Sequence, residues 1–193
     1  NSWIQRSINL PEKSATYYIA FEGVANYGYG VWVDDVKIER VNVTPKTVDS
    51  VLINQASADL VFKGSDNNPI LRMDIFVSGN SGTLNLNSIK IKSQNISNAD
   101  ISANGIKLYR TAIPIFSTAD PLGSAENFST GVVNFPTLNY DLPAGRTFIW
   151  VTYDVASNAV ADHQVDASID AGQISIGGST YPVSAASPAG NRT

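Results

Sequence analysis

The chain has 193 residues, 43% of them hydrophobic and 16% charged, with no cysteine, one histidine and a formal net charge of −4. That is enough apolar material for a real core. The acidic balance lacks the basic stripe that nucleic acid requires, and no run of about 18 apolar residues exists that would cross a membrane as a helix. Short amides and hydroxyls stand where a typical domain carries roughly a quarter charged residues, and without disulfides stability must come from core size.

Helical periodicity is nearly absent, and β-branched and aromatic residues alternate instead. In chain order the pattern predicts strands at Tyr17–Glu22, Gly30–Glu39, Ala58–Phe62, Ile70–Val77, Leu84–Lys92, Gly105–Arg110, Gly131–Phe135, Thr147–Val155, Val165–Ala171 and Gln173–Ile176. Turn-forming runs separate them, among them Gly-Ser-Asp-Asn-Asn-Pro at 64–69, Ser-Gly-Asn-Ser-Gly at 78–82 and Ile-Gly-Gly-Ser at 176–179. Gly64 and Asn67 suit a turn that needs positive φ. In Leu142-Pro-Ala-Gly, Pro143 fixes φ and Gly145 relaxes it, launching the next strand. That strand is apolar on nearly every residue, with Phe148, Trp150 and Thr152 on one face and Ile149, Val151 and Tyr153 on the other, as befits a strand covered on both sides. Trp150 is expected to plug the core and to find an acceptor for its N–H. The nearest thing to a helix, Ala156–Ala161, is too short to stand alone. Many short strands with this punctuation predict an all-β fold, an antiparallel β-sandwich of immunoglobulin-like or jelly-roll type.

A boundary is expected near Arg40–Lys46. Residues 1–41 supply only about three strands, which are marginal unless packed on something, so they are read as the C-terminal fragment of another domain. Residues 42–47 are read as a linker and 48–193 as a complete sandwich.

Five ordered segments carry a resemblance over residues 48–193: Lys63-Gly-Ser-Asp-Asn-Asn-Pro-Ile-Leu-Arg-Met-Asp-Ile, Asn98-Ala-Asp-Ile-Ser-Ala-Asn-Gly-Ile-Lys-Leu-Tyr-Arg-Thr, Leu142-Pro-Ala-Gly-Arg-Thr-Phe-Ile-Trp-Val-Thr-Tyr-Asp-Val, Val165-Asp-Ala and Ser187-Pro-Ala-Gly-Asn-Arg. This part of the chain resembles the N-terminal accessory domain of BNR-repeat neuraminidases, found also in cell-surface proteins of Bacteroidetes. The resemblance implies a non-catalytic accessory sandwich, and a fold alone supplies no function.

Asp154, Asp162, Asp166 and Asp170 lie near His163 in sequence. They fit a metal or acid–base site, or loop and strand-end carboxylates that satisfy backbone donors. The second reading is preferred, because there is no second histidine and no acidic pair in a glycosidase-like motif. Arg72, Arg110, Arg146 and Arg192 are scattered, unlike the clustered arginines of a sialidase site. Asp100 stands just before a β edge, where a carboxylate can accept nearby N–H groups.

Trp3-Ile-Gln-Arg-Ser-Ile-Asn-Leu-Pro, Tyr17-Tyr-Ile-Ala-Phe-Glu-Gly and Tyr29-Gly-Val-Trp-Val-Asp-Asp-Val-Lys-Ile resemble the closing strands of a jelly-roll domain, as in cleaved-adhesin domains of gingipain-type haemagglutinins and MAM-like sandwiches. In a strand over Val31–Ile38, Asp34 shares a face with Val36 and Ile38, and a buried carboxylate must be paired or ligate a metal. The resemblance implies that Asp34 and Asp35 help to hold a structural Ca2+, a cation of oxygen ligands. Tyr17, Tyr18, Tyr27, Tyr29 and Trp32 alternate as core residues of strands do, which is the preferred reading; the alternative is an aromatic platform for sugar rings, with Tyr27, Tyr29 and Trp32 as the glycan contacts.

The function expected is that of a non-catalytic structural or adhesive module in a large secreted, cell-surface or outer-membrane-attached protein. Its partners are other domains of the same polypeptide and host or environmental glycans or proteins, with no nucleic acid and no membrane span. A glycan-binding accessory of a sialidase or other hydrolase is one alternative. A subunit that donates strands to neighbours in an extracellular filament is another, since open strand edges invite pairing.

Overall fold

The computed structural model describes residues 6–8, 18–23, 32–38, 42–94 and 97–193. The chain divides into two compact units, Asn1–Val41 and Asn42–Thr193. In the first, the described residues are solvent-exposed and carry no strand pairing. Strands were expected at Tyr17–Glu22 and Gly30–Glu39, but their described residues, 18–22 and 32–38, form none. Alternation makes a strand only where a partner strand and an apolar surface are at hand.

The second unit is all β, with no α-helix among the described residues. Its strands are β1 (Thr47–Gln55), β2 (Asn68–Ser78), β3 (Asn85–Gln94), β4 (Ile101–Thr111), β5 (Val132–Phe135), β6 (Tyr140–Asp141), β7 (Gly145–Val155), β8 (Asp166–Ser168), β9 (Ile174–Ile176) and β10 (Ser179–Tyr181). One sheet runs β1-β2-β7-β4. The other runs β10-β9-β3-β5, with β6 and β8 also paired to β3. Every pairing between these strands is antiparallel. The two sheets pack face to face as a β-sandwich.

Strand pleating decides which residues meet in the middle. Leu71, Met73, Ile75 and Val77 of β2 line up with Ile149 and Val151 of β7 and with Ile106 and Leu108 of β4. They pack against Leu86, Ile89 and Ile91 of β3, Val133 and Phe135 of β5, and Ile174 and Ile176 of β9. Ile70 and Leu71 are adjacent yet both fully buried, because a bulge between Pro69 and Leu71 shifts the β2–β7 register at that point. The same device hides β1 from its sequence. A bulge between Val48 and Ser50 breaks the alternation, so the residues that reach the core are Val48, Val51 and Ile53. The predicted strand Ala58–Phe62 does not form, since its backbone is turned toward Arg192 and Thr193 instead.

The central strand β7 is buried on both faces, as its composition requires. Its outer face differs from the expected core plug. Trp150 and Phe148 join Tyr109 in a separate cluster on the outside of the sheet, roofed by Phe116 from the long β4–β5 connection. Arg72 lies over both rings, 5.5 Å from Phe148 and 5.4 Å from Trp150, while bound to Asp74 through two hydrogen bonds of 2.6 and 2.9 Å.

The segment read as a linker is bonded to the sandwich. Asn80 donates to the carbonyls of Asn42 and Thr44 and accepts the Thr44 N–H, and Lys46 N–H bonds Ser81 O at 2.9 Å. Gly79 allows this approach. Its φ is +90°, and a Cβ there would stand 2.2 Å from Pro45 O.

Candidate functional site

The acids near His163 in sequence do not converge in space. Asp154 Oδ1 accepts the Asn67 N–H at 2.7 Å and its Oδ2 is 2.5 Å from Lys107 Nζ. Asp162 is exposed in the loop after β7, at φ 65°. Asp166 is buried and accepts the N–H of Ala167. Its burial pushes the carboxyl above the usual range, against the opposing effect of that N–H. Asp170 pairs at 3.8 Å with Lys92 on the exposed face. Asp154 and Asp166 thus accept backbone N–H groups, while Asp162 and Asp170 lie exposed.

His163 itself meets a different acid. Its Nδ1 is 2.7 Å from Asp100 Oδ2, while Asp100 Oδ1 accepts the Val160 N–H at 2.8 Å. Burial raises the Asp100 carboxyl, but the His163 hydrogen bond, the Val160 N–H and the His163 charge outweigh it and hold the group below its usual value. The pair lines a half-open hollow of about 270 Å³, floored by Val61, Val155, Ala159 and Val165 and flanked by Lys63 and Asp162. Thr193 is the one hydroxyl in the lining, and no hydrogen bond joins it to His163. A His–Asp pair orients an imidazole, but nucleophilic catalysis also needs a hydroxyl or thiol on the far ring nitrogen. The Asp100–His163 contact ties the β3–β4 connection to the β7–β8 connection. The sequence reading placed Asp100 at a backbone donor but missed its histidine, 63 residues away.

A second polar cluster gathers Asp154 with residues that the sequence did not connect to it. On the outer face of the first sheet, Lys107 Nζ lies between Asp154 Oδ2 and Asn67 Oδ1, at 2.5 and 3.3 Å. Tyr109 Oη donates to the same Asn67 Oδ1 at 2.7 Å. Thr152, opposite Lys107 in the β4–β7 register, is fully buried, and its hydroxyl has no partner. The sequence signals here were the carboxylate of Asp154 and the positive φ foreseen for Asn67, which is 54°.

Of the residues singled out in the first unit, Tyr27 and Tyr29 lie outside the described residues. Trp32 is 79% exposed, and Val36 and Ile38 are exposed with it, so the inward-facing Asp34 expected of a strand is not found. Asp34 Oδ1 accepts the N–H of Asp35, whose φ is 53°. Two neighbouring carboxylates fill only part of the six to eight oxygen positions of Ca2+, and among the described residues no three acidic or histidine side chains gather into a metal site.

No protein-family model matches the chain, and no curated protein matches it.

Proposed function

We propose that this chain is a non-catalytic structural and adhesive segment of a large secreted, cell-surface protein, in which the sandwich holds neighbouring parts of the polypeptide apart under load. The observation that carries the reading is where the sandwich is anchored. Residues 42–46 are bonded to the turn at the Thr47–Ser78 end of the first sheet. Arg192 and Thr193 are bonded at the opposite end, through the carbonyls of Asp59, Leu60 and Pro69 and the N–H of Val61. Between these ends β1 spans nine residues, about 30 Å at the usual strand rise. Tension applied across them runs along β1 and loads its ladder to β2 in shear, so the hydrogen bonds resist together rather than opening one at a time.

The test uses the absence of cysteine. Handles at Asn42→Cys and Thr193→Cys load the sandwich from end to end, whereas Asn42→Cys with Thr83→Cys loads one end alone. Single-molecule pulling should give a distinctly higher unfolding force for the first pair. Equal forces would remove the load-bearing reading.

A second reading, a glycan-binding accessory, is favoured by the exposed Trp32. It requires saturable binding on a glycan array that is lost in Trp32→Ala, and flat binding across glycans sinks it. A contribution of Asp34 and Asp35 to a Ca2+ site requires that adding Ca2+ raise the thermal stability of the chain and that Asp34→Asn abolish the rise.

A further inference from the structure

We infer that Lys107 and Asn67 form an intramolecular amide, a covalent bridge between the start of β2 and the edge strand β4 that passes over β7. The inference is independent of the load-bearing reading above.

The groups needed for an amide exchange are gathered at one point. Lys107 supplies the nucleophile, and its Nζ is 3.3 Å from the carbonyl oxygen of the Asn67 side chain. Asp154 Oδ2, 2.5 Å from that nitrogen, is the proton acceptor, and its side chain is only 10% exposed. Tyr109 Oη, donating to Asn67 Oδ1 at 2.7 Å, sits where negative charge develops on the oxygen, the position of an oxyanion-hole donor. Asn67 is held to the same carboxylate through its backbone N–H, so acceptor and electrophile are fixed to one another. Its Nδ2 has no hydrogen-bond partner among the described residues and is free to depart. Such positioning is worth a large effective concentration.

The reaction balances without a further reagent. The Lys107 ammonium gives a proton to Asp154, and the neutral amine attacks Cγ of Asn67, forming the new C–N bond and placing the electron pair on Oδ1 against the Tyr109 hydroxyl. Asp154 passes the proton to Nδ2, the carbonyl re-forms, and the Cγ–Nδ2 bond breaks. The second proton lost by Nζ goes to the departing ammonia. The sum is ammonium plus carboxamide giving secondary amide plus ammonium ion, with Asp154 returned as a carboxylate.

The amine must first be freed of its proton. Burial pulls the Lys107 ammonium down, but the hydrogen bond and charge of Asp154 outweigh it and hold the proton on. The bridge therefore forms slowly, and faster as pH rises.

The full chain held at about pH 9, nearer the ordinary lysine pKa, should become lighter by one ammonia. Tryptic digestion should then yield one branched peptide joining residues 64–72 to 93–110. Tyr109→Phe keeps the ring packing and should slow the conversion, and Asp154→Asn should stop it. An unchanged intact mass, with Asn67 and Lys107 recovered in linear peptides, overturns the inference. So does the loss of one water, which would place the link on Asp154, and so does conversion at the same rate in Asp154→Asn.

Discussion

Trp150 donates its indole N–H to Thr111 Oγ1 at 2.8 Å, and the same hydroxyl donates to the carbonyl of Ile113 at 2.6 Å. One short side chain thus satisfies the buried indole of the central strand and turns the chain out of β4 into the loop whose Phe116 covers that indole. Thr111→Val keeps the shape and removes both bonds. It leaves a buried donor without a partner, which costs about 1–3 kcal/mol. Chemical denaturation should show that loss, with Trp150 fluorescence shifting to the red as Phe116 loosens. Thr111→Ser should recover most of the stability.

Gly79→Ala tests how the 42–46 segment is held. A side chain there meets the Pro45 carbonyl and must also adopt φ near +90°. Strain of this kind costs on the order of 1–3 kcal/mol before the clash is counted. The variant should release the segment, seen as faster amide exchange at Thr44, Lys46, Asn80 and Ser81, whose bonds cross that contact. Unchanged exchange there would mean that the segment is held by other contacts.

The parts of this fold legible in the sequence are those where one physical signal acts alone. The strand β7 announces itself because both of its faces are apolar, and the turns at Gly64, Asn67 and Gly145 because each needs positive φ, found at 74°, 54° and 96°. The illegible parts are those where two signals conflict. The bulge at Asp49 moves the core residues of β1 out of alternation, while the alternating stretch Ala58–Phe62 is diverted to serve Arg192. The polar cluster was beyond reach for another reason. Lys107 and Asn67 are 40 residues apart and Asn67 and Asp154 are 87 apart. Only the order β2-β7-β4 within the sheet brings them together.

Arg192 is a buried guanidinium that donates to three carbonyls, those of Asp59, Leu60 and Pro69, at 2.8 to 3.2 Å. Burial lowers its pKa, partly offset by the charge of Asp59. Arg192→Met fills similar space but removes these three hydrogen bonds. By the usual worth of hydrogen bonds to a charged group it should cost about 1.5–3 kcal/mol. Arg192→Lys, with a point charge in place of the planar fork, should recover only part of it. Equilibrium urea unfolding of the three proteins measures the difference, and equal midpoints would show that the fork contributes nothing.

Asp166 gives a prediction whose sign is set by its environment. Its carboxyl is pushed upward by burial, with the Ala167 N–H opposing. Tyr153, whose buried hydroxyl lacks a hydrogen-bond partner, is raised by burial first and then by the charge of Asp166. A carboxyl whose pKa is higher in the folded state than in the unfolded chain binds its proton more readily when folded. Its contribution is fully favourable below the unfolded value and is lost as pH rises through the folded one. At neutral pH, therefore, the ionised Asp166 lowers stability. Asp166→Asn keeps an oxygen for the Ala167 N–H and removes the charge. It should raise the melting temperature by a few degrees at pH 7, and the gain should shrink toward zero as pH falls below the unfolded value, near 4 for an ordinary aspartate. Melting curves of both proteins across that range decide it, and a gain that grows on acidification would reverse the sign and place the ionised carboxylate among the stabilising groups.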